Sequence, residues 1–352
     1  MATWDGAGNF PPQQALLATL TARGCEVEVL GHASQQSAVE ATGARFRLWE
    51  KAPPLDSARP GSDGIVFGEL LFSKGAAADF TAAIERAAPD LLLVDCMLAS
   101  VLGVARASGL PTVALGHVMY GVVQAPIFAA LKEPIEASRL VLAFSYRAFD
   151  PALDPPPHVV HVGPLRPAGA ACASPWRRKA PDRPLVLVSL STSHQDQAPL
   201  LQRLCAALDG MEVEALVTTG RAVDPASLAA SPNVTLIRHL DHAAVLGGTD
   251  LLITHAGHGT VMAGVTYGAP MLCLPMGRDQ HMVAARVADL GLGRVLAAEA
   301  DVALLRATAE ALLSDVALRE RSRAFARQVA GEADAERAAD LLEAAARAPA
   351  RP

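Results

Sequence analysis

The sequence predicts an α/β protein made of two Rossmann-like, doubly wound domains that face each other across a cleft. Three observations lead to this fold class. Short apolar strands alternate with helices in both halves of the 352-residue chain. A proline-rich stretch interrupts the alternation near the middle. Hydrophobic residues make up 51% of the chain and charged residues 19%, so the chain can fill large cores and is not mainly disordered.

The first half alternates between helices and strands up to residue 163. We predict helices over residues 13–23, 80–88 and 101–108, and strands over residues 25–30, 91–94 and 111–115. The strands are short and apolar, which is typical of a parallel sheet whose two faces are both covered by helices. Residues 1–163 are therefore expected to form the N-terminal domain.

Nine prolines between Pro151 and Pro184 exclude regular structure over much of the middle segment. We interpret residues 164–183 as a linker and residues 184–332 as the C-terminal domain. Strands are predicted there over residues 185–190, 213–217, 234–237, 251–254 and 271–274, and helices over residues 198–208, 260–267 and from residue 281 onward. We predict helices in the tail over residues 319–330 and 333–348. Residues 333–352 are interpreted as a C-terminal helix that is not part of the C-terminal domain.

Charge and composition exclude several classes of protein. The net charge of −6 argues against a general nucleic-acid binder, which needs a basic face. The uncharged stretches 109–131 and 251–277 are interrupted by glycines, histidines or prolines, so no membrane span is expected. Residues 1–10 carry no secretory signal. The five cysteines are scattered and predict free thiols in a reducing cytoplasm.

The strongest local pattern runs from His255 to Thr260, where a strand leads through a glycine-rich turn into a helix. Glycines allow close approach of a ligand, and the first turn of a helix offers unpaired N–H groups and a positive dipole end. The imidazole of His255 and the hydroxyl of Thr260 can donate further hydrogen bonds to a phosphate. A glycine-rich turn with a hydrogen-bonded histidine is the alternative, and the local chemistry leaves both open.

A second polar pair, Asp279 and Gln280, follows the next strand. The carboxyl ends of parallel strands are where doubly wound sheets expose ligand contacts. A carboxylate beside an amide both accepts and donates hydrogen bonds, which suits a ligand rich in hydroxyl groups. Helix capping is the alternative interpretation of these two residues.

The run over residues 255–287, HAGHGTVMAGVTYGAPMLCLPMGRDQHMVAARV, resembles the donor-binding signature of nucleotide-sugar-dependent glycosyltransferases of the GT-B fold. It is most similar to the bacterial natural-product, macrolide-type branch. Residues 188–193 and 217–220 resemble strand ends of the same C-terminal domain. The resemblance implies an inverting glycosyltransferase with an acceptor-binding N-terminal domain, a nucleotide-sugar-binding C-terminal domain and a last helix that crosses back to the N-terminal domain.

The same resemblance assigns roles in donor binding. The diphosphate would be held by His255, Gly257, Gly259 and Thr260, and from the other side by Thr192 with Ser191. His239 would lie over the base, backbone groups of Leu240 would read its edge, and Asp279 with Gln280 would hold hydroxyls of the sugar. Ala263 stands where plant members have a glutamate that binds ribose hydroxyls, so we expect a TDP-sugar donor rather than a UDP-sugar.

The catalytic half departs from the family pattern. The resemblance implies a general-base histidine after the first strand, oriented by an aspartate about one hundred residues later. Here Asn9 takes the place of the histidine, while Asp95 matches the aspartate. Three interpretations remain open: Asp95 is the base, His117 supplies the imidazole, or the protein binds a sugar nucleotide without efficient transfer.

We expect no metal and no cofactor besides the nucleotide-sugar co-substrate. The spacings His239-x-x-His242 and His255-x-x-His258 echo paired metal ligands, but they lack cysteines and a fixed scaffold. A small hydrophobic acceptor follows from the resemblance alone, and a homodimer is the candidate assembly. The alternative functions are a GT-B sugar-nucleotide epimerase and a non-catalytic sugar-nucleotide-binding protein.

The chain is also short for the family it resembles. Only residues 1–4 precede Asp5 where family members have a full hydrophobic strand, so we expect either a stunted first strand or a start further upstream. The loop over residues 51–74 is expected to be compact.

Overall fold

The computed structural model describes residues 1–152, 154–166 and 176–347, apart from the side chain of Ile127. Contacts divide the chain into two compact units, one comprising Met1–Ser57, Gly61–Ala168 and Gly331–Pro352 and the other Ala58–Pro60 and Gly169–Ala330. Residues 167–175 of the linker predicted over residues 164–183, including Cys172, lie outside the described residues. The remaining cysteines are free thiols, and no described helix is long and apolar enough to span a membrane.

The first unit contains a parallel sheet in doubly wound order. Its strands are β1 (Glu28–Gly31), β2 (Arg45–Leu48), β3 (Leu92–Asp95), β4 (Thr112–Gly116), β5 (Leu140–Ala143) and β6 (Val159–His161). β1 pairs with β2, and β3 to β6 pair in sequence order, all in parallel. Ala2 bridges Leu30 and Val94 between these two groups. Residues 1–3 thus contribute the backbone hydrogen bonds of a very short strand at the centre of the sheet.

The second unit contains a six-stranded sheet. Its strands are β7 (Leu185–Ser189), β8 (Glu214–Thr218), β9 (Val234–Ile237), β10 (Leu251–Thr254), β11 (Met271–Cys273) and β12 (Gly293–Val295). They run in the order β12-β11-β10-β7-β8-β9, and every pair is parallel. The chain winds outward in one direction from β7 and in the other from β10. The loops after β7 and β10 therefore flank the switch point, where doubly wound sheets bind ligands.

Helices cover both sheets, and the α/β fold class with parallel sheets in two domains is confirmed. The helices of the first unit are α1 (Phe10–Ala22), α2 (Gln36–Glu40), α3 (Ser62–Ile65), α4 (Lys74–Ala87), α5 (Ala99–Ala107), α6 (Tyr120–Val123) and α7 (Ala129–Glu136). Those of the second unit are α8 (Ala198–Leu208), α9 (Ala243–Leu246), α10 (His258–Tyr267), α11 (Gln280–Asp289), α12 (Val302–Ser314) and α13 (Val316–Val329). The last helix, α14 (Ala335–Arg347), belongs to the first unit.

Some predicted element boundaries were wrong for identifiable reasons. α1 begins at Phe10, three residues before the predicted start, because Pro11 and Pro12 lie in its first turn, where a missing N–H costs no hydrogen bond. No strand was predicted at β2, β5, β6 or β12, whereas α12 lies in the region after residue 281 that was predicted to be helical. In contrast, β9, β10 and α8 have the predicted bounds.

α14 packs on α1 through an apolar face. Leu342 is 1% exposed and lies in one core cluster with Leu16 and Leu20 of α1. At the end of α1, the guanidinium of Arg23 donates hydrogen bonds to Glu336 at 2.9 Å and to Asp340 at 2.7 Å. Apolar burial gives this contact its energy, whereas the exposed ion pairs mainly orient the helix.

Leu342→Ala is expected to lower the free energy of unfolding by about 2–4 kcal/mol, since it removes a buried side chain and leaves a cavity. Chemical denaturation followed by circular dichroism measures the change. Leu304→Ala is the matched control, because Leu304 is 47% exposed and should cost less than about 1 kcal/mol. Equal losses in the two variants would contradict the packing role of α14.

Candidate functional site

A fully buried carboxylate lies at the carboxyl end of β3. Oδ1 of Asp95 accepts hydrogen bonds from Trp4 Nε1 at 2.9 Å and from the backbone N–H of Met97 at 3.0 Å. Oδ2 accepts from Asn9 Nδ2 at 3.0 Å and from Gln13 Nε2 at 2.6 Å. Asp95 is 0% exposed, and donors on both oxygens compensate for the water that its charge has lost.

His117 approaches the same carboxylate from the neighbouring strand. Its Nδ1 lies 3.2 Å from Oδ2 of Asp95, and its side chain is 13% exposed. β3 and β4 pair with Asp95 opposite Leu115, so a residue just past the end of β4 reaches the same edge. The ring of Trp4 meets the imidazole edge to face, with ring centroids 6.0 Å apart. Because Nδ1 faces Asp95, Nε2 is the ring nitrogen on the opposite side.

The two groups shift each other's pKa in opposite directions. Burial by itself would raise the pKa of Asp95, but the nearby His117 and the hydrogen bonds from Asn9 and the Met97 N–H outweigh it, so the pKa is lowered. Burial would lower the pKa of His117, but the carboxylate of Asp95, with Cys96 beside it, raises that pKa well above its ordinary 6.5. The pair is therefore an ionised carboxylate beside an imidazole that holds its proton firmly.

Asn9 supports this carboxylate instead of replacing a base. Its Nδ2 donates to Asp95 and, at 3.1 Å, to the carbonyl of Trp4, while its Oδ1 accepts from the N–H of Gly6 at 3.2 Å. A Cβ on Gly6 would lie 2.8 Å from Oδ1 of Asn9 and 2.6 Å from the Trp4 ring, so the loop needs glycine there. An amide has no usable basicity, and its atoms are used to hold the loop.

Sequence reasoning missed two residues that contact Asp95, namely Trp4 and Gln13. Gln13 lies four residues after Asn9, so the two amides share one side of the chain as α1 begins. That spacing was a usable signal for Gln13. Trp4 had no signal, because its contact with Asp95 joins residues 91 positions apart.

Ligand atoms of Asp95, Cys96 and His117 lie within 4.8 Å of one another, which raises the question of a metal site. Both oxygens of Asp95 already accept N–H donors, and a cation would have to displace them. The surrounding donors thus suit an anionic carboxylate and a proton-carrying imidazole better than a metal ion.

In the second unit, His255 lies between β10 and α10 and is 7% exposed. A Cβ on Gly257 would lie 2.5 Å from Nε2 of His255, so only glycine lets the ring lie against the helix start. Ala256 has a left-handed φ of 63°, which turns the chain into the helix. Gly259, which is exposed, and Thr260, which is half-buried, lie in the first turn, whose N–H groups have no partner within the helix.

His255 is neutral. Burial, the positive charge of Arg278 and the nearby His242 lower its pKa to about 3, against a hydrogen bond with the Ser189 backbone. Its Nδ1 is buried and makes no hydrogen bond with any residue that the structure describes. A neutral imidazole with an unsatisfied buried nitrogen is suited to an incoming ligand.

The two residues of the loop after β7 that were predicted to contact the diphosphate, Ser191 and Thr192, differ in exposure. The hydroxyl of Ser191 is turned inward and lies 3.0 Å from that of Ser193, and it accepts from Gln195 Nε2 at 2.8 Å. Thr192 between them is exposed. A Cβ on Gly220 would lie 2.6 Å from the Ser191 carbonyl, so the loop after β8 packs closely against this backbone. Thr192 is therefore the member of the predicted pair whose side chain is exposed.

Gln280 and Asp279 also differ in exposure. Gln280 is 2% exposed, and its Oε1 accepts from the N–H groups of Met276 at 2.8 Å and Gly277 at 3.2 Å. Its Nε2 donates to Oε1 of Gln195 at 2.7 Å. Asp279 is half-buried at the start of α11. The side chain of Gln280 thus forms its hydrogen bonds with neighbouring loop residues, and Asp279 is the more accessible of the two.

The remaining predicted contacts follow β9. His239 is exposed and Leu240 is buried. Nε2 of His242 lies 2.8 Å from the hydroxyl of Ser189, so this histidine links the end of β7 to the start of α9. The two His-x-x-His pairs thus contain the exposed His239, the serine-bonded His242, the neutral buried His255 and the buried His258.

Comparison with known proteins identifies the second half of the chain. Residues 202–344 match the sequence model of the EryCIII-like C-terminal domain, described as erythromycin biosynthesis protein CIII-like. The match covers less than half of the chain, and this segment is similar to that domain. It contains His239, His255 and Asp279, whereas Ser191 and Thr192 precede it and the Asp95–His117 pair lies outside it.

The curated relatives of the chain are glycosyltransferases. Oleandomycin glycosyltransferase of Streptomyces antibioticus is 37% identical over 172 residues, which are 48% of this chain and 40% of that protein. NDP-glycosyltransferase YjiC of Bacillus subtilis is 32% identical over 165 residues, which are 46% of this chain and 42% of that protein. The chain thus matches less than half the length of each of these relatives.

Solved structures match nearly the whole chain. The glycotransferase of kitacinnamycin has a TM-score of 0.81 at 24% identity, covering 98% of this chain and 97% of that one. Spinosyn rhamnosyltransferase SpnG complexed with thymidine diphosphate has a TM-score of 0.77 at 18% identity, covering 97% and 99%. At these identities the likeness shows the fold alone, which is the two-domain α/β GT-B fold.

We expect the imidazole of His117 to titrate above pH 6.5 in the wild type. In the Asp95→Asn variant the same imidazole should titrate at lower pH, because the carboxylate that holds the proton on the ring is gone. NMR of the histidine ring protons measures both values. His255, with a pKa of about 3, should stay neutral over the same range and serves as the internal control. Since the folded-state pKa of His117 is raised, its contribution to stability should be present below about pH 6.5 and lost as pH rises through the raised value. Identical titration of His117 in both proteins would contradict the pairing.

Proposed function

We propose that the protein is an inverting glycosyltransferase that moves a sugar from a nucleoside diphosphate donor to a small hydrophobic acceptor. The observation that carries the proposal is the neutral, buried His255 at the start of α10, within an EryCIII-like domain whose curated relatives are glycosyltransferases. The chain matches less than half the length of those relatives, so the activity of the whole protein rests on this site and on the fold.

The second unit is proposed to hold the donor. The first-turn N–H groups of α10, the hydroxyl of Thr260 and the ring of His255 are suited to hydrogen-bond a diphosphate. Thr192 would add a hydroxyl from the loop after β7, His239 would cover the base, and Asp279 would bind sugar hydroxyls. Backbone dipoles and N–H donors stabilise the leaving diphosphate in this proposal, so it assigns no step to a metal or a cofactor.

The first unit is proposed to activate the acceptor through His117. The acceptor oxygen attacks the anomeric carbon, the bond from that carbon to the diphosphate oxygen breaks, and the acceptor proton passes to Nε2 of His117. Asp95 fixes the ring through Nδ1 and stabilises the imidazolium that results. Asn9 and Gln13 act as positioning residues, because they hold the carboxylate and not the substrate.

This assignment is favoured over Asp95 as the base. Both oxygens of Asp95 already accept hydrogen bonds, and its lowered pKa makes it a weak proton acceptor. His117 is partly exposed and reaches outward from that carboxylate. Because the base must be neutral to accept a proton, the rate should rise with pH through the raised pKa of His117.

We also propose a TDP-sugar rather than a UDP-sugar as donor. Ala263 is 1% exposed and carries no polar side-chain atom, so it offers no partner to a ribose 2′-hydroxyl. A structural neighbour was solved with thymidine diphosphate. A reducing cytoplasm and a homodimer stay predictions.

His117→Ala should lower kcat for sugar transfer by about 100-fold or more, which is the size of a general-base contribution, while leaving the affinity for donor nucleotide unchanged. Mass spectrometry over a panel of donors and acceptors identifies the product, and steady-state kinetics measures the loss. His158→Gln in the same unit is the control. Wild-type levels of transfer in His117→Ala would remove His117 from the mechanism, and nucleotide binding without any product in the wild type would favour the binding-protein function.

Affinity should rank thymidine diphosphate and 2′-deoxyuridine diphosphate above uridine diphosphate, because the site lacks a partner for the 2′-hydroxyl. Isothermal titration calorimetry with the three nucleotides separates the effect of the 2′-hydroxyl from that of the thymine methyl group. Ala263→Glu should reduce the difference in affinity between thymidine diphosphate and uridine diphosphate, because it supplies a carboxylate for the 2′-hydroxyl. A wild-type preference for uridine diphosphate would contradict the donor assignment.

A further inference from the structure

Arg278 connects two loops on either side of the α10 N-terminus. It lies between β11 and α11, and its Nη1 donates a hydrogen bond of 3.0 Å to the hydroxyl of Ser193 in the loop after β7. β7 and β11 are the two neighbours of β10 in the sheet, and β10 leads into α10. The guanidinium therefore belongs to the same strand-end edge as His255.

Hydrogen bonds hold the loop that carries Arg278. The side chain of Gln280 accepts hydrogen bonds from the backbone N–H groups of residues 276 and 277 and donates one to Gln195. Gln195 in turn donates to the hydroxyl of Ser191, which is hydrogen-bonded to the hydroxyl of Ser193. This chain of polar contacts starts at Gln280 and returns to Arg278. Gln280, Ser191 and Ser193 are each at most 4% exposed. The position of the loop is thus set by buried groups, whereas Arg278 is exposed.

The backbone at Arg278 is itself strained. Its φ is 56°, in the left-handed region that side-chain-bearing residues rarely adopt. Such a conformation persists where surrounding contacts over-determine it, and it clusters at ligand sites. Here the bonds from Gln280 supply those contacts.

Of Arg278 and His255, the arginine carries the positive charge. His255 is neutral, and the positive charge of Arg278 is one cause. The unsatisfied Nδ1 of His255 marks a buried polar position without a described partner. An anion at the start of α10 would meet uncharged N–H donors there, and a guanidinium is the group that matches a diphosphate in both charge and fork geometry.

We infer that Arg278, held by Ser193, binds the diphosphate of the donor and supplies the positive charge of the donor site. The inference rests on the proposed glycosyltransferase function and adds a residue to it. Ser193 is a positioning residue in this arrangement, because it contacts the guanidinium and not the ligand. Gln280 positions Arg278 indirectly, because it holds the backbone of the loop that carries the arginine.

The test compares binding of thymidine diphosphate with binding of thymidine by isothermal titration calorimetry. Arg278→Gln should weaken diphosphate binding by about 10- to 100-fold, the range expected for a lost charge-assisted hydrogen bond, and leave thymidine binding unchanged. Arg278→Lys should fall between the two, because lysine keeps the charge and loses the fork. Ser193→Ala should give a smaller loss that is also confined to the diphosphate.

Arg294→Gln is the matched control, since Arg294 is an exposed arginine on β12 of the same unit. Equal diphosphate affinities in Arg278→Gln and Arg294→Gln would overturn the inference while leaving the glycosyltransferase function standing in a wild type that transfers sugar. A wild type that binds no thymidine diphosphate would overturn both. Thermal melting of each variant checks that losses of affinity do not come from unfolding, and a thymidine affinity equal to that of the wild type provides the same check at the site.

Discussion

A buried negative charge organises the first unit. Asp95 is fully buried at the end of β3, and a carboxylate in that position is stable only when donors surround it. Trp4 and Asn9 before α1, and Gln13 in its first turns, supply three of those donors. Among the described residues that contact the carboxylate of Asp95 through a side chain, His117 is the one that is both titratable near neutral pH and partly exposed. The acceptor side of the proposed reaction depends on this carboxylate.

The second unit uses the opposite solution for its polar centre. Its buried histidine is kept neutral, and the formal charge is placed on an exposed arginine nearby. A neutral ring costs less to bury than a charged one. The helix start then supplies N–H groups without a net charge of its own, and the loops that frame it are tied by buried serine and glutamine side chains. One unit therefore buries an ion that its own side chains compensate, while the other keeps a neutral polar group ready for a ligand.

Much of the fold could be predicted from local patterns. The bounds of β9, β10 and α8 follow from apolar runs and helical spacing, which act over a few residues. The predictions failed where local signals conflict with their context. The start predicted for α1 at residue 13 was three residues late, because a helix tolerates proline in its first turn, where Pro11 and Pro12 lie. A long glycine-rich signature predicted the residues that we propose to bind the donor, and the structure gathers several of them at the switch point of one sheet.

The sequence by itself determined the alternation of strands and helices, the glycine-rich turn before α10 and the absence of a basic group at Asn9. These properties depend on the residue type and its immediate neighbours. Only the tertiary structure decided that His117 meets Asp95, that Gln280 is buried while Asp279 is accessible, and that Arg278 reaches Ser193. These contacts join residues far apart in the chain. They depend on which strands are neighbours, on their register and on the direction of each side chain, and none of these is encoded in a local pattern.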